Sequence, residues 1–495
     1  MRTAFLISPD HQKETVEDFS QDIDIKIPIC IDLDGTLLWT DLLWESIFTL
    51  LKEKPHLLPL LPFWLFRGKA AFKSKLANLI TLDIPSLPYN QSFLDYLFDQ
   101  QKIGRPLILV TATHEKFAQK ITEHLGIFSA VFSTDEGTNL SGFKKRDLLI
   151  SRFGEKGFDY AGNSRVDLVV WSAARNAILV NASSSVQTRA QNTSHVTKIF
   201  PRRPFSLGTL LRALRVHQWA KNILVFIPLF AAHQEKDPIL VGKSLLAFGA
   251  FCLCASATYM INDLLDLPSD RRHPRKRHRP FAAGLLPLSS GLIFVPLLLG
   301  MAFASGIFLT PAFFLTLCAY FLLTLAYSLW IKRIVILDII FLAILYTLRI
   351  IAGGNAMGFP PSFWLLAFSV FFFLSLAMVK RYSELLVSKR AGQISPHGRG
   401  YHTEDFPIIN SLGAASAYGS VLVLALYINS PEVQALYRYP KTLWLLIPLL
   451  LYWISRVWLI THRGQMHDDP VIFALRDKVS LVLAVLVGLT ILGAT

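Results

Sequence analysis

Asn262, Asp266 and Asp270 stand at positions i, i+4 and i+8 after some twenty apolar residues, and the basic stretch RRHPRKRHR follows them. On a helix this spacing stacks the three side chains in one column, with a rise of about 6 Å per step. One amide and two carboxylates facing one way make a hard oxygen ligand set. Magnesium suits such ligands and commonly bridges carboxylates to phosphate oxygens. A solvated loop does not account for Asn262 and Asp266, because acids at a membrane-helix end are costly unless they face a partner or a watery cavity. It does account for the basic stretch taken alone. Arg275, Lys276, Arg277 and Arg279 neutralise a phosphorylated substrate, bind anionic headgroups, or do both. Asp263, one step round, helps the site or only caps the helix.

A second constellation lies near the start. ICIDLDGTL is an apolar strand that ends in Asp32, Leu33, Asp34, Gly35 and Thr36. Alternation throws Asp32 and Asp34 to the same side, and the glycine lets the chain turn where a phosphate approaches. Two carboxylates so placed can divide labour, one as nucleophile and metal ligand, the other as general acid and base. Downstream, LVTAT ends a strand with Thr111, GFKK supplies Lys145, and YAGNSRVDLVVW, in which DLVVW reads as a short buried strand, sets Asp167 beside another strand end. A hydroxyl, an ammonium and a further carboxylate complete a phosphate and metal pocket.

These residues need two kinds of scaffold. Of 495 residues 52% are hydrophobic and 12% aromatic, more than one globular core requires. The +14 charge falls in short blocks between apolar runs, the pattern of cytoplasmic membrane loops and not of a nucleic-acid surface. All four cysteines lie in apolar runs, which suggests neither a disulfide framework nor a zinc knuckle. The start lacks an apolar stretch long enough for a signal peptide, so the N-terminus is expected in the cytosol.

Residues 1–27 read as a polar tail, 28–182 as an α/β Rossmann-like domain with a helical cap insert over about 38–103, and 183–206 as a polar linker. Within the insert, 56–76 combines Leu, Phe and Trp with Arg67, Lys69, Lys73 and Lys75, fitting either an interfacial helix or a packed cap. Over 207–495, apolar runs centred near 229, 251, 299, 321, 346, 372, 421, 452 and 487 predict an all-α bundle of nine transmembrane helices. With the N-terminus inside and the C-terminus outside, the inner loops hold Arg271, Arg272, Arg275, Lys276, Arg277, Arg279, Lys332, Arg333, Lys380, Arg381, Lys389, Arg390, Arg399 and Arg463. The outer loops hold little beyond Lys236, Arg438 and Lys441.

NDLLDLPSDRRHPRKRHRPFAAG resembles the first Asp-rich motif of the UbiA superfamily of intramembrane prenyltransferases, and LLRALRVHQWAKNILVFIPLF, YSLWIKR, KRYSELL and HDDPVIFALRD extend the likeness across 207–495. The resemblance implies a nine-helix bundle with a magnesium-dependent site open to cytosol and lipid. Quinone-forming members usually have a second carboxylate-rich motif after the fourth span. Here Tyr327, Lys332 and Arg333 stand there, with only Asp338 following. A cationic second wall looks more like the branch that moves phosphoribose from 5-phosphoribosyl diphosphate onto polyprenyl phosphate. That likeness implies that Asn262, Asp266 and Asp270 hold magnesium and diphosphate, and that Lys332, Arg333 and Lys380 grip phosphates. Tyr327, Arg381, Tyr382 and Glu384 are weaker site candidates, equally readable as interface anchors or helix caps. Arg349 is expected to be paired, Arg456 either snorkels or meets substrate, and Asp468, Asp469 and Asp477 flank the last span, Asp477 with Lys478 as one reading.

The motifs around Asp32, Thr111, Lys145 and Asp167 resemble those of haloacid dehalogenase-like (HAD) phosphohydrolases. By that resemblance Asp32 is the nucleophile, Asp34 the acid and base, Thr111 and Lys145 the phosphate clamps, and Asp167 a magnesium ligand alongside Asp32 and Asp34. Asn163 stands where many members have aspartate. The expectation is a multi-pass protein of a bacterial inner membrane with its first domain in the cytosol, acting on a polyprenyl lipid and a phosphorylated donor. Alternatives are a prenyltransferase with an aromatic acceptor, and a lipid-phosphate carrier.

Overall fold

Strands covered on both faces are apolar without alternation, and ICI, LILV and AILV are such runs. The computed structural model describes residues 26–135, 139–204, 206–390, 392, 400–466 and 469–495, so of the expected tail only residues 26 and 27 lie inside it. The chain divides into two compact units near Pro204.

In the first unit β1 (Ile29–Ile31), β2 (Leu107–His114), β3 (Ala130–Thr134), β4 (Asp159–Gly162), β5 (Ala177–Val180) and β6 (Val196–Phe200) form one parallel sheet, in the order β3-β2-β1-β4-β5-β6. Ile29, Ile31, Leu107 and Leu109 pack to one side with Phe93 and Phe117, while Cys30, Ile108 and Val110 pack to the other with Trp171. The strand order reverses between β1 and β4. Open sheets of this kind bind ligands beyond the carboxyl ends of the strands at that switch. Helices α1 (Leu42–Glu53), α2 (Leu61–Phe66), α3 (Lys69–Leu79) and α4 (Gln91–Lys102) form the insert between β1 and β2, and α5 (Glu115–Leu125), α6 (Phe143–Phe153), α7 (Leu168–Trp171) and α8 (Ser184–Thr193) follow later strands.

Two expectations change. DLVVW is not a strand: Ser164 and Asp167 form a capping box, and that local signal starts a helical turn and α7 despite the β-branched residues. The stretch 183–206 is not a linker, because it supplies α8 and β6, which pairs with β5. As an edge strand, β6 leaves Thr197 and Lys198 exposed and so lacks the apolar pattern that announces inner strands.

The second unit is helical. It comprises α9 (Leu207–Leu214), α10 (Ile227–Ala231), α11 (Pro238–Leu265), α12 (Leu267–Arg272), α13 (Gly291–Ile307), α14 (Pro311–Leu329), α15 (Leu337–Met357), α16 (Phe363–Arg390), α17 (Phe406–Ile428), α18 (Pro431–Leu436), α19 (Leu446–His462), α20 (Pro470–Ala474) and α21 (Lys478–Ala494). Among the described residues seven segments are long and apolar enough to cross a membrane: Pro238–Leu265, Leu288–Ile307, Pro311–Leu329, Leu337–Met357, Phe363–Arg390, Thr403–Ile428 and Pro440–His462. The other two expected spans are shorter. Around 487 α21 has 17 residues, and around 229 a 3-10 segment, Val216–Phe226, gives way to the five-residue α10. Pro228 in the first turn of α10 has no N–H to extend the preceding turn, which breaks this segment. The 3-10 segment lies against α15 because Gly353 lets it: a Cβ there would sit 2.0 Å from the Val225 carbonyl oxygen.

Candidate functional site

The column expected from Asn262, Asp266 and Asp270 is divided. α11 begins under an Asp237 cap and ends at Leu265, and Asp266 joins it to α12. Pro268 has no N–H to offer Leu264, so the helix cannot run straight through. Asn262 and Asp266 line a cleft with Ser328, Lys332 and Arg333, and Lys332 Nζ donates to Asp266 Oδ2 at 3.0 Å. Asn262 Oδ1 is buried and accepts no hydrogen bond. Asp270 turns instead to Arg279, whose Nη1 lies 2.6 Å from Asp270 Oδ2 and 3.2 Å from Asp263 Oδ1. Arg279 thus joins Asp263 of α11 to Asp270 of α12 across the break, and Arg215 also binds Asp263. Arg275, Lys276, Arg277 and Arg333 are exposed.

A second carboxylate centre involves residues that sequence reasoning missed. Asp469, the N-cap of α20, accepts on Oδ2 from Lys221 Nζ at 2.6 Å and Lys380 Nζ at 3.2 Å. Its Oδ1 accepts from Tyr346 Oη at 3.2 Å. Burial alone would raise this carboxyl, but Lys380 and Lys221 hold it well below the usual range. Arg349 lies alongside, with Nε donating to Asn222 Oδ1 at 2.9 Å and Nη2 to Tyr320 Oη at 3.0 Å, so its partners include neutral oxygens. Lys221 interrupts an apolar run in QWAKNILVF, and an ionisable residue so placed was the available signal. Tyr346 gave none.

The remaining candidates find structural partners. Arg381 is fully buried against Asp338, whose Oδ1 also accepts from Tyr401 at 2.5 Å, and it reaches Glu384 as well. Tyr382 Oη meets His462 Nδ1 at 2.9 Å. Arg456 grips Asp477 through two bonds, 2.6 and 3.0 Å, which replaces the expected Asp477–Lys478 pair. Tyr327 is half-buried. Asp468 and Arg399 lie outside the described residues.

In the first unit the carboxyl ends of β1 and β4 bring Asp32, Asp34 and Asp167 to the switch point. Lys145 Nζ, from α6, donates to Asp32 Oδ1 at 2.8 Å and to Tyr160 Oη at 2.9 Å, and Tyr160 in turn donates to Asp167 Oδ1 at 2.9 Å. Tyr160, buried on β4, was not anticipated and couples the lysine to the carboxylate. Asp167 Oδ2 also accepts from the Asn163 and Ser164 amides. Asp34 is fixed by the Leu42 amide at 2.9 Å and by the Thr113 hydroxyl at 2.6 Å. Thr111 is fully buried and receives the Thr113 amide at 3.0 Å. Gly35 has φ +75°, and a Cβ on it would lie 2.1 Å from Asn163 Nδ2, so the Asn163 amide rests on the turn that carries Asp34. Burial lifts Asp34 to about 7, with the charge of Asp41 adding to it. Burial likewise lifts Asp32 to about 6 against the pull of Lys145.

Among the described residues no group of three or more His, Cys, Asp or Glu is arranged to hold a metal ion. The bare oxygen of Asn262 beside Asp266 nevertheless fits a hard cation that takes amide and carboxylate oxygens and completes its shell with water or phosphate.

The family model for UbiA prenyltransferases matches residues 223–479. An uncharacterised protein of Sinorhizobium fredii, y4nM, is 37% identical over 470 residues, covering 94% of this chain and 90% of the relative. Decaprenyl-phosphate phosphoribosyltransferase of Mycobacterium tuberculosis is 31% identical over 281 residues, 56% of this chain and 90% of that protein. Among solved structures, a UbiA homologue from Archaeoglobus fulgidus bound to GPP and Mg2+ superposes with a TM-score of 0.45 at 16% identity, covering 57% of this chain and 99% of that one.

Proposed function

We propose, from the premise that this chain belongs to the UbiA prenyltransferase family and is an integral membrane protein, that its bundle transfers phosphoribose from 5-phosphoribosyl diphosphate to polyprenyl phosphate. One observation carries the choice of substrate: two carboxylates of the bundle are met by ammonium groups, Lys332 on Asp266, and Lys221 with Lys380 on Asp469. Ammonium groups suit phosphate oxygens, whereas ionising a prenyl diphosphate with two metal ions calls for a second acidic pair. The similarity to a decaprenyl-phosphate phosphoribosyltransferase supports the same choice.

In this reading Lys332 and Arg333 hold the diphosphate of the donor, while Lys221 and Lys380 hold the phosphate of the lipid. The sugar C1–O bond to diphosphate breaks as a lipid phosphate oxygen forms the new C1–O bond, and Lys332 stabilises the charge that leaves with diphosphate. Magnesium, held by Asn262 and Asp266, would supply further neutralisation of that leaving group. Asp270 contributes through Arg279, which also reaches Asp263. Arg275 and Lys276 are left to attract anionic substrate or headgroups.

The first unit, in this reading, is a haloacid dehalogenase-like phosphohydrolase. Asp32 attacks phosphorus while Asp34, whose pKa near 7 keeps a proton available, gives that proton to the departing oxygen. Asp34 then takes a proton from the water that hydrolyses the aspartyl phosphate and frees Asp32. Thr111 and Lys145 hold phosphoryl oxygens; Asp32, Asp34 and Asp167, expected to hold magnesium, are bonded instead to Lys145, Thr113 and Tyr160 and are not grouped around a metal position. Removing the 5-phosphate from the transferase product pulls the first step forward.

Purified protein given magnesium, polyprenyl phosphate and labelled phosphoribosyl diphosphate should yield labelled lipid, and Asp266→Ala should abolish it. Product formed only from prenyl diphosphate and an aromatic acid would replace this reading with the prenyltransferase one, and turnover of neither pair would favour a carrier. Asp32→Asn should let the phosphorylated lipid accumulate; unchanged accumulation would end the idea of a coupled phosphatase.

A further inference from the structure

A short helix needs one apolar face to pack, yet Pro55–Phe66 is apolar nearly all round. Leu57, Leu61 and Trp64 face the domain core. Leu60, Phe63, Leu65 and Phe66 do not: they are 41, 66, 52 and 89% exposed. A helix apolar on every side is ordinarily buried in protein or lipid, and no protein of this unit covers the outer face. Gly68, at φ +100°, then turns the chain into α3, and Arg67 before the turn with Lys69 and Lys75 after it are exposed beside the apolar patch. No Asp or Glu occurs between Lys54 and Leu82, a stretch with five Lys and Arg.

We propose that this helical pair is a bilayer-docking element: Phe63, Leu65 and Phe66 enter the headgroup boundary of an anionic membrane, while Arg67, Lys69 and Lys75 meet its lipid phosphates. The occupant follows from charge and from tethering. An all-basic, acid-free rim matches anionic headgroups. The same chain also carries the membrane spans, so a bilayer is always present at high effective concentration. α3 continues from this surface to the carboxylate pocket, because Lys73 Nζ donates to the Ala112 carbonyl of β2 at 2.6 Å and to Asn139 Oδ1 at 3.1 Å. The element therefore offers a phosphorylated lipid a short route from bilayer to pocket. That consequence rests on the phosphohydrolase reading; the docking does not.

The test uses the full chain in anionic nanodiscs with an environment-sensitive label on Phe66→Cys, and Lys102→Cys on α4, an exposed position, as control. Nitroxide lipids labelled at a shallow acyl position should quench the Phe66 label about twofold or more, because interfacial helices sit about 5–10 Å into the headgroup boundary, and should leave the Lys102 label unchanged. Adding Arg67→Glu, Lys69→Glu and Lys75→Glu should reduce that quenching while the Lys102 signal reports an intact fold. Accessibility of the Phe66 label to aqueous iodide equal to that at Lys102 overturns the proposal. So does protection from both quenchers, which would mean that protein covers the patch, or emission that depends on two copies per disc. Equal quenching in zwitterionic discs would overturn the anionic partner.

Discussion

Asp469 holds two lysines unequally, and its removal should reveal the difference. Lys221 Nζ lies 2.6 Å from Oδ2 with the two side chains 10 and 7% exposed, whereas Lys380 lies 3.2 Å away and is 32% exposed. Charge attraction strengthens as solvent leaves, so the dry, short pair dominates. Breaking a buried pair costs about 3–5 kcal/mol, while a pair with a member this exposed contributes about 0.2–1 kcal/mol. Asp469→Asn is the cleanest perturbation, because asparagine still caps the Val471 amide that Asp469 accepts at 3.2 Å. It should destabilise the bundle by about 3 kcal/mol or more, chiefly by leaving the Lys221 ammonium buried without its carboxylate. Double-mutant cycles with Lys221→Met and with Lys380→Met, read from unfolding in mixed micelles, separate the two couplings. The first should be about 3 kcal/mol and the second below about 1 kcal/mol. Equal couplings, a larger one for Lys380, or an Asp469→Asn protein within about 1 kcal/mol of the parent would refute the reasoning.

Other consequences are checked in the first unit. Gly35→Ala should cost more than Gly126→Ala: both place alanine at positive φ, worth about 1–2 kcal/mol, but only Gly35 would also drive a Cβ into Asn163 Nδ2, while nothing lies within 4 Å at Gly126. Thermal unfolding of the two variants gives the comparison. At Asp159 burial alone would raise the carboxyl, but Arg175 and Arg105 hold it below its ordinary value. A depressed folded pKa gives stability that is complete above the unfolded value of about 3.9 and is lost as pH falls through the folded one. The parent should thus lose stability below about pH 4, and Asp159→Asn, less stable at neutral pH, should show a flatter acid limb in unfolding midpoints against pH.

Several features were legible without coordinates because they depend on local pattern alone. Apolar runs of about twenty residues specify a membrane span through hydrocarbon thickness, and seven of the nine expected centres fall on such helices. ICIDLDGTL specifies a buried strand followed by a turn that carries two acids, since strand alternation and a positive-φ glycine are both local. Where local signals competed, the pattern misled. The capping box at Ser164 outweighed the β-branched DLVVW, and β6 escaped notice because an edge strand needs no apolar alternation.

Which charges meet was decided only in three dimensions. Lys221, Tyr346, Lys380 and Asp469 are separated by up to 248 positions, and their contact requires the 3-10 segment to reach α15, which Gly353 permits by lacking a Cβ. The ligand column at α11 likewise depended on a local detail with a distant outcome: Pro268 breaks the helix, so Asp270 turns to Arg279 while Asn262 and Asp266 stay with Lys332. Spacing sets which residues could share a face; packing determines which partner neutralises each buried charge, because that choice depends on distance and dielectric between segments remote along the chain.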